Sequence, residues 1–191
     1  MTHKEVAKGL PSGSGFDSEF RCLGKRQLEK KFPERDDTTD SRRGDRIHAA
    51  LEHSNFDELT GGERLTAEIC LDNEGMLVDK YGFHGAGEVI WEKRMWDVDD
   101  DFNPLWRVQV DYLRLEGRRA LVIDHKTGWG IPVPIDMNWQ MRAQAAIVWY
   151  HYNVAEVVAA LSHPQHPDSR WEARVWSAKQ CAEFMLTRTT F

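Results

Sequence analysis

Cysteine is scarce in this chain, and the three present, Cys22, Cys70 and Cys181, are far apart with no CxxC pair. An odd, scattered set argues against a disulfide framework and against a dedicated zinc or iron–sulfur site. No run approaches the roughly 18 apolar residues that a membrane span needs. The opening MTHKEVAKGLPSGSG lacks the apolar core of a signal peptide, so the expected compartment is cytoplasmic. An overall basic balance is missing too. The net charge is −6, unlike a protein that coats nucleic acid. Internal repeats, low-complexity tracts and a GxxxxGK[ST] phosphate loop are all lacking.

What remains is an ordinary soluble composition: 191 residues, 41% hydrophobic and 29% charged, which suits one domain over residues 1–191. Residues 1–15 are polar and glycine-rich, and partial disorder is expected there. Periodicity predicts a helix from Phe16 to Phe32, stopped by Pro33, and a second from Ser41 to about Leu59, ended by Gly61-Gly62. Glu63 to Lys80 fits a helix that Asn73 and Gly75 interrupt. Glu88–Trp96, Leu105–Leu115 and Ala120–Lys126 are expected strands. A helix from about Met137 to Asn153 follows, with Asp136 as its N-cap. Val157–Ser162 and Trp171–Trp176 form a last strand pair, and a capping box at Ser177–Gln180 opens a final helix. The order is mixed, either α/β or α+β.

The stretch ALVIDHKTGWG, Ala120 to Gly130, carries the chemistry. Strand alternation places Asp124 and Lys126 on one face and His125 on the other. On the preceding strand, Asp111 interrupts the run VQVDYL. If Leu115 opposes Ala120, Asp111 falls opposite Asp124, and any even-length turn keeps it on that face. Two facing carboxylates need neutralising, and a hard divalent cation such as magnesium does this well. Such a cation lowers the pKa of a bound water and stabilises charge on a phosphoryl oxygen. A lysine beside it orients the water or steadies the phosphate. These are the parts of a phosphodiester-hydrolysing site, although Asp, Asp-x-Lys is a common pattern, and a solvated strand end carries the same residues. Basic clusters at Lys25, Arg26, Lys30, Lys31 and at Arg42, Arg43, Arg46 are candidate phosphate contacts or plain solvated faces. Trp129 is a candidate base-stacking residue or a loop tryptophan packed on the core.

Asp111 followed by Asp124-His125-Lys126-Thr127-Gly128 resembles the PD-(D/E)xK nuclease superfamily, and within it the RecB-like exonuclease branch. GDRIHAALE is similar to the branch's histidine motif, and GSGFDSEFRCLGKRQL to its opening motif. NWQMRAQAAIVWY matches its Gln-x-x-x-Tyr helix at Gln140, with Gln144 in the tyrosine's place. The resemblance covers roughly residues 12 to 160, with its motifs in the family's order.

It implies an α/β fold with a restriction-endonuclease-like core, a central mixed sheet flanked by helices. It also implies a deoxyribonuclease using Mg²⁺ or Mn²⁺, with His48, Glu92, Asp111, Asp124 and the backbone carbonyl of His125 as ligands. Glu88 rivals Glu92, because the two share strand parity. Lys126 and Gln140 complete the catalytic set. Gln144 is expected either to contact the nucleic acid or to hold the catalytic residues. No iron–sulfur cluster is expected, since only Cys22 and Cys181 are even loosely placed for one. The expected partners are DNA and a recombination or repair protein, with no membrane. An exonuclease in recombination, repair or phage DNA processing is the leading expectation. A site-specific endonuclease or junction resolvase, and a non-catalytic member binding DNA or protein, are the alternatives.

Overall fold

The computed structural model describes residues 12–16, 39–130, 133–166 and 170–187. The helix expected over Phe16–Phe32 lies outside these residues except for Phe16, and so do Cys22 and the Lys25–Lys31 cluster. After a 3-10 turn at Gly13–Gly15 come α1 (Thr39–His53), α2 (Gly61–Tyr81), β1 (Glu88–Val98), β2 (Pro104–Glu116) and β3 (Arg119–His125). A second 3-10 turn at Ile135–Met137 leads into α3 (Trp139–Tyr152), β4 (Glu156–Ser162), β5 (Trp171–Ser177) and α4 (Ala178–Thr187).

The protein is α/β. Its five-stranded mixed sheet has the order β1-β2-β3-β4-β5, antiparallel except for the parallel β3–β4 pair that the α3 crossover joins. That architecture is consistent with a restriction-endonuclease-like core. β3 and β4 read as continuous apolar runs because both faces are covered. On one face, Ala120, Val122, Val157 and Ala159 pack with Met141, Ile147 and Cys181 of α3 and α4. On the other, Leu121, Ile123, Val158 and Ala160 pack with Leu77 of α2 and with Phe83. A smaller cluster, Ile47 and Leu51 against Ala67 and Cys70, joins α1 to α2. Among the described residues no helix is long and apolar enough to cross a membrane.

The β2–β3 hairpin has the expected register, with Leu115 opposite Ala120 and Glu116 opposite Arg119. Its two-residue turn starts at Gly117, whose φ of +58° a primed hairpin turn requires. The ladder stops at Tyr112–Ile123, so Asp111 and Asp124 lie just past the last pair, where the strands part. On β1 and β2 the alternation of faces also resets there. Val108, Val110 and Leu113 share the α3–α4 core, while Tyr112 lies in the opposite one. The β1–β2 ladder pairs Trp91 with Tyr112 and Lys93 with Val110, skipping Glu92 and Asp111, and Glu92 has φ +48°. Both candidate ligands thus occupy an irregular row of the ribbon, apart from the register shift at Asp97/Val98.

Several expected boundaries move. Gly61-Gly62 does not end the second helix, which closes at His53. The glycines open α2 instead, behind a capping box between Thr60 and Glu63. Asn73 does not break α2, because its buried amide donates to Ser162 Oγ and the Arg170 carbonyl, both at 3.0 Å. The N-cap of α3 is Asn138, which accepts from Met141 N at 3.0 Å. Asp136 instead pairs with Arg174 at 2.5 Å. The capping box at Ser177–Gln180 forms as expected. Asn138→Ala should cost about 1 kcal/mol, read as a fall in Tm of about 2–4 °C. Asp136→Ala removes only an exposed ion pair and should cost less. An equal or larger loss for Asp136→Ala in thermal unfolding would refute this cap assignment.

Candidate metal centre

His48 reaches the sheet because α1 is fastened to the loop after β3. Arg43 donates from Nη1 to the Thr127 carbonyl at 2.7 Å and from Nη2 to Thr66 Oγ1 at 2.8 Å. Gly44, one turn before His48, permits this approach, since a Cβ there would lie 3.2 Å from Thr127 Oγ1. The His48 ring then sits over the irregular row. Its Nδ1 is 3.0 Å from Glu92 Oε1 and 3.6 Å from Asp111 Oδ2. Glu92 is held from its other oxygen by the Gln109 amide.

Where β2 and β3 part, side chains replace the ladder. Asp111 Oδ2 accepts the backbone N–H of His125 at 2.7 Å. Gln144 donates to the Gln109 carbonyl at 2.8 Å and to Asp124 Oδ1 at 3.1 Å. Gln140 donates to the same Asp124 oxygen at 2.5 Å. Lys126 Nζ lies 2.6 Å from Asp124 Oδ2 and donates to Gln140 Oε1 at 2.9 Å.

The electrostatics divide the two aspartates. Burial, and then the negative charge of Asp124, push the Asp111 carboxyl up to about 6. Burial would raise Asp124 as well, but Lys126 and the Gln144 amide outweigh it and hold the group below the usual carboxylate range. Burial would lower His48, yet its hydrogen bond to Glu92 and the charge of Asp111 raise it. For Glu92, burial acts upward, and the bonds from His48 and Gln109 bring the net shift downward.

These residues fit a divalent cation. One donor atom each from His48, Glu92 and Asp111 lie within 4.8 Å of one another, and all three side chains remain partly accessible. Two carboxylates and one imidazole suit manganese or magnesium, the imidazole tilting the set towards manganese. Asp124 is not in that cluster. It stands beside it, fully engaged by Lys126, Gln140 and Gln144. The His125 carbonyl accepts from Thr127 N at 3.1 Å, which leaves it a second lone pair.

The remaining expectations sort by exposure. Glu88 pairs with Leu115 near the hairpin end, four residues from the cluster, so Glu92 is the glutamate at the site. Gln144 is completely buried, so of its two expected roles the structure gives it the holding of Asp124, not a nucleic-acid contact. Arg43 is likewise spent on Thr127 and Thr66. Arg42 is exposed on α1, and Trp129 is 68% exposed, not packed on the core. A cleft of about 380 Å³ contains Asp111, Asp124, Lys126 and Gln140, and a second of about 630 Å³ opens from His48 and Glu92 along α1. Arg94 and Gln109 line both clefts. Reading the sequence passed over these two. The signal for Gln109 was its polarity between two valines, two residues before Asp111.

Asp111 generates a pH-dependent prediction. Its carboxyl titrates near 6 when folded against an ordinary 3.8, so stability from the protonated form is present at about pH 4 and lost as the pH rises through about 6. Asp111→Asn should therefore stabilise the metal-free protein at about pH 7.5 by at most about 3 kcal/mol, read as a higher Tm, and the gain should shrink towards pH 4. Mn²⁺ should raise the Tm of the wild type at about pH 7.5 and not that of the variant. A variant that melts lower than wild type at pH 7.5, or that responds equally to Mn²⁺, contradicts this account.

No family model matches the chain, and no curated protein matches it significantly. A solved structure described as "Crystal structure of SSO0001" is similar at 13% identity and a TM-score of 0.33, over 91% of this chain and 86% of that one. A likeness that distant carries no argument about fold or activity.

Proposed function

We propose that the protein is a divalent-metal-dependent deoxyribonuclease, an exonuclease by preference, acting on the phosphodiester backbone of DNA. The observation that carries the reading is a three-donor cluster of His48, Glu92 and Asp111 directly beside Asp124 and Lys126. The motif order, with its resemblance to the RecB-like branch, supports the same reading. A bound Mg²⁺ or Mn²⁺ would supply Lewis-acid polarisation of the scissile phosphate and a more acidic water.

The chain's own residues then have distinct tasks. His48, Glu92 and Asp111 hold the ion. Asp124 keeps the Lys126 ammonium at 2.6 Å, and Gln140 fixes both. Lys126, about one-third exposed, faces the smaller cleft, where it orients the attacking water and draws on the phosphate's negative charge. Arg94 and Arg107 line that cleft and offer backbone phosphate contacts. Trp129 offers an exposed ring for stacking on an unpaired base.

End-labelled single- and double-stranded DNA, incubated with Mg²⁺, Mn²⁺ or EDTA, tests the reading. Degradation should require metal, and Lys126→Ala and Asp111→Asn should each lower its rate by about 10²-fold or more while both variants stay folded. Undiminished cleavage by either variant sinks this mechanism. Cleavage of closed circular DNA would replace the exonuclease with an endonuclease on the same site. Metal binding without cleavage of any DNA would leave only a binding protein.

A further inference from the structure

Next to the candidate centre, on the α2 side of the sheet, lies an acid–base pair that the mechanism above does not use. His125 has a completely buried side chain, and its Nε2 is 3.2 Å from Oε1 of Glu74, whose side chain is 10% exposed. Glu74 stands one helical turn after the buried Cys70 on α2, and the apolar neighbours Leu77, Tyr112 and Ile123 crowd the same side. Burial alone would drive the imidazole towards neutrality, yet Cys70 and Glu74 hold its pKa well above the usual value. Burial raises Glu74.

A buried ionisable pair is a poor source of stability, because desolvation offsets the attraction, and an apolar pair of similar volume commonly does as well or better. Its position is informative instead. The backbone N–H of His125 is the group that holds Asp111, at 2.7 Å. Its ring meets the ring of His48 edge-on, with centroids 6.4 Å apart at 70°. One residue thus touches two of the three metal-donor side chains, one through its backbone and one through its ring. Glu74 is the charged side chain beside that ring, at 3.2 Å, and Cys70 lies against it as well.

We infer that Glu74 and His125 form a positioning pair, anchored on α2, that sets the placement of Asp111 and His48 and thereby the affinity of the centre for a divalent cation. The inference rests on the metal-centre reading above. Outer partners that orient metal ligands change affinity by about 10- to 100-fold when removed.

The double variant Glu74→Leu/His125→Phe separates positioning from stability. Metal-free melting and Mn²⁺ titration, followed by the rise in Tm, are the readouts, and neither depends on nuclease activity. The double variant should melt at or above the wild-type temperature without metal, and its Mn²⁺ affinity should fall by about 10-fold or more. A lower metal-free Tm with unchanged Mn²⁺ affinity would make the pair structural and overturn the inference. If the double variant does not fold, Glu74→Gln carries the test. Weaker Mn²⁺ binding at a near-wild-type metal-free Tm supports the pairing, and unchanged binding overturns it. Wild-type protein that gives no response to Mn²⁺ removes the metal centre itself. Wild-type protein that binds Mn²⁺ but leaves every DNA substrate intact removes the nuclease reading and leaves this inference standing.

Discussion

Two aspartates are brought into one buried gap by the register of a single hairpin, and most of the surrounding structure answers to that crowding. Asp111 and Asp124 follow the last β2–β3 pair, where the backbone no longer supplies partners. Burial, and then the charge of Asp124, raise Asp111, while Lys126 and the Gln144 amide hold Asp124 down, so the two differ in protonation behaviour. Asp124 is neutralised from within the protein by Lys126 and two glutamine amides. Among the described residues, Asp111 meets no lysine but a backbone N–H and the His48 ring. The asymmetry leaves one carboxylate organising a lysine of the protein and the other without a lysine among the described residues, as the proposed metal centre requires.

The layers around the gap have matching roles. From α3, Gln144 bridges the Gln109 carbonyl and Asp124 as a side-chain rung in place of the missing ladder, and Gln140 ties Asp124 to Lys126. α1 is fastened to the β3 exit by Arg43, and so His48 is delivered to the sheet by a polar staple, while Ile47 and Leu51 pack it on α2. The flat apolar core between β3 and β4 supplies the rigidity from which these polar groups project.

Much of this was legible in the chain. The hairpin register meets the condition stated from strand parity, Leu115 opposite Ala120, and the turn between Glu116 and Arg119 is even. Asp124, Lys126 and Gln140 come together as their spacing and motif order suggested. What parity could not reveal was that alternation breaks at the site itself. Glu88 and Glu92 have equal parity, and only the skipped row selects Glu92. Gln144 looked available to a ligand because sequence spacing defines a helix face, not whether that face is covered. Gly61-Gly62 looked like a stop because glycine is frequent after helices, and the Thr60–Glu63 capping box outweighed that preference. Asn73 was read as an interruption because its partners, Ser162 and Arg170, are some 90 residues away in the chain.

The left-handed backbone at Glu92 has a consequence for how the protein responds to selection. A non-glycine residue at φ +48° stores conformational strain, of order 1 kcal/mol or more. Glycine would relax it, and asparagine would tolerate it, so a screen for thermostability alone is drawn to those replacements. Each would delete a carboxylate from the only cluster of this kind among the described residues. Under the proposed function, robustness and chemistry therefore pull position 92 in opposite directions, and selection for stability alone would strip the cluster of a donor.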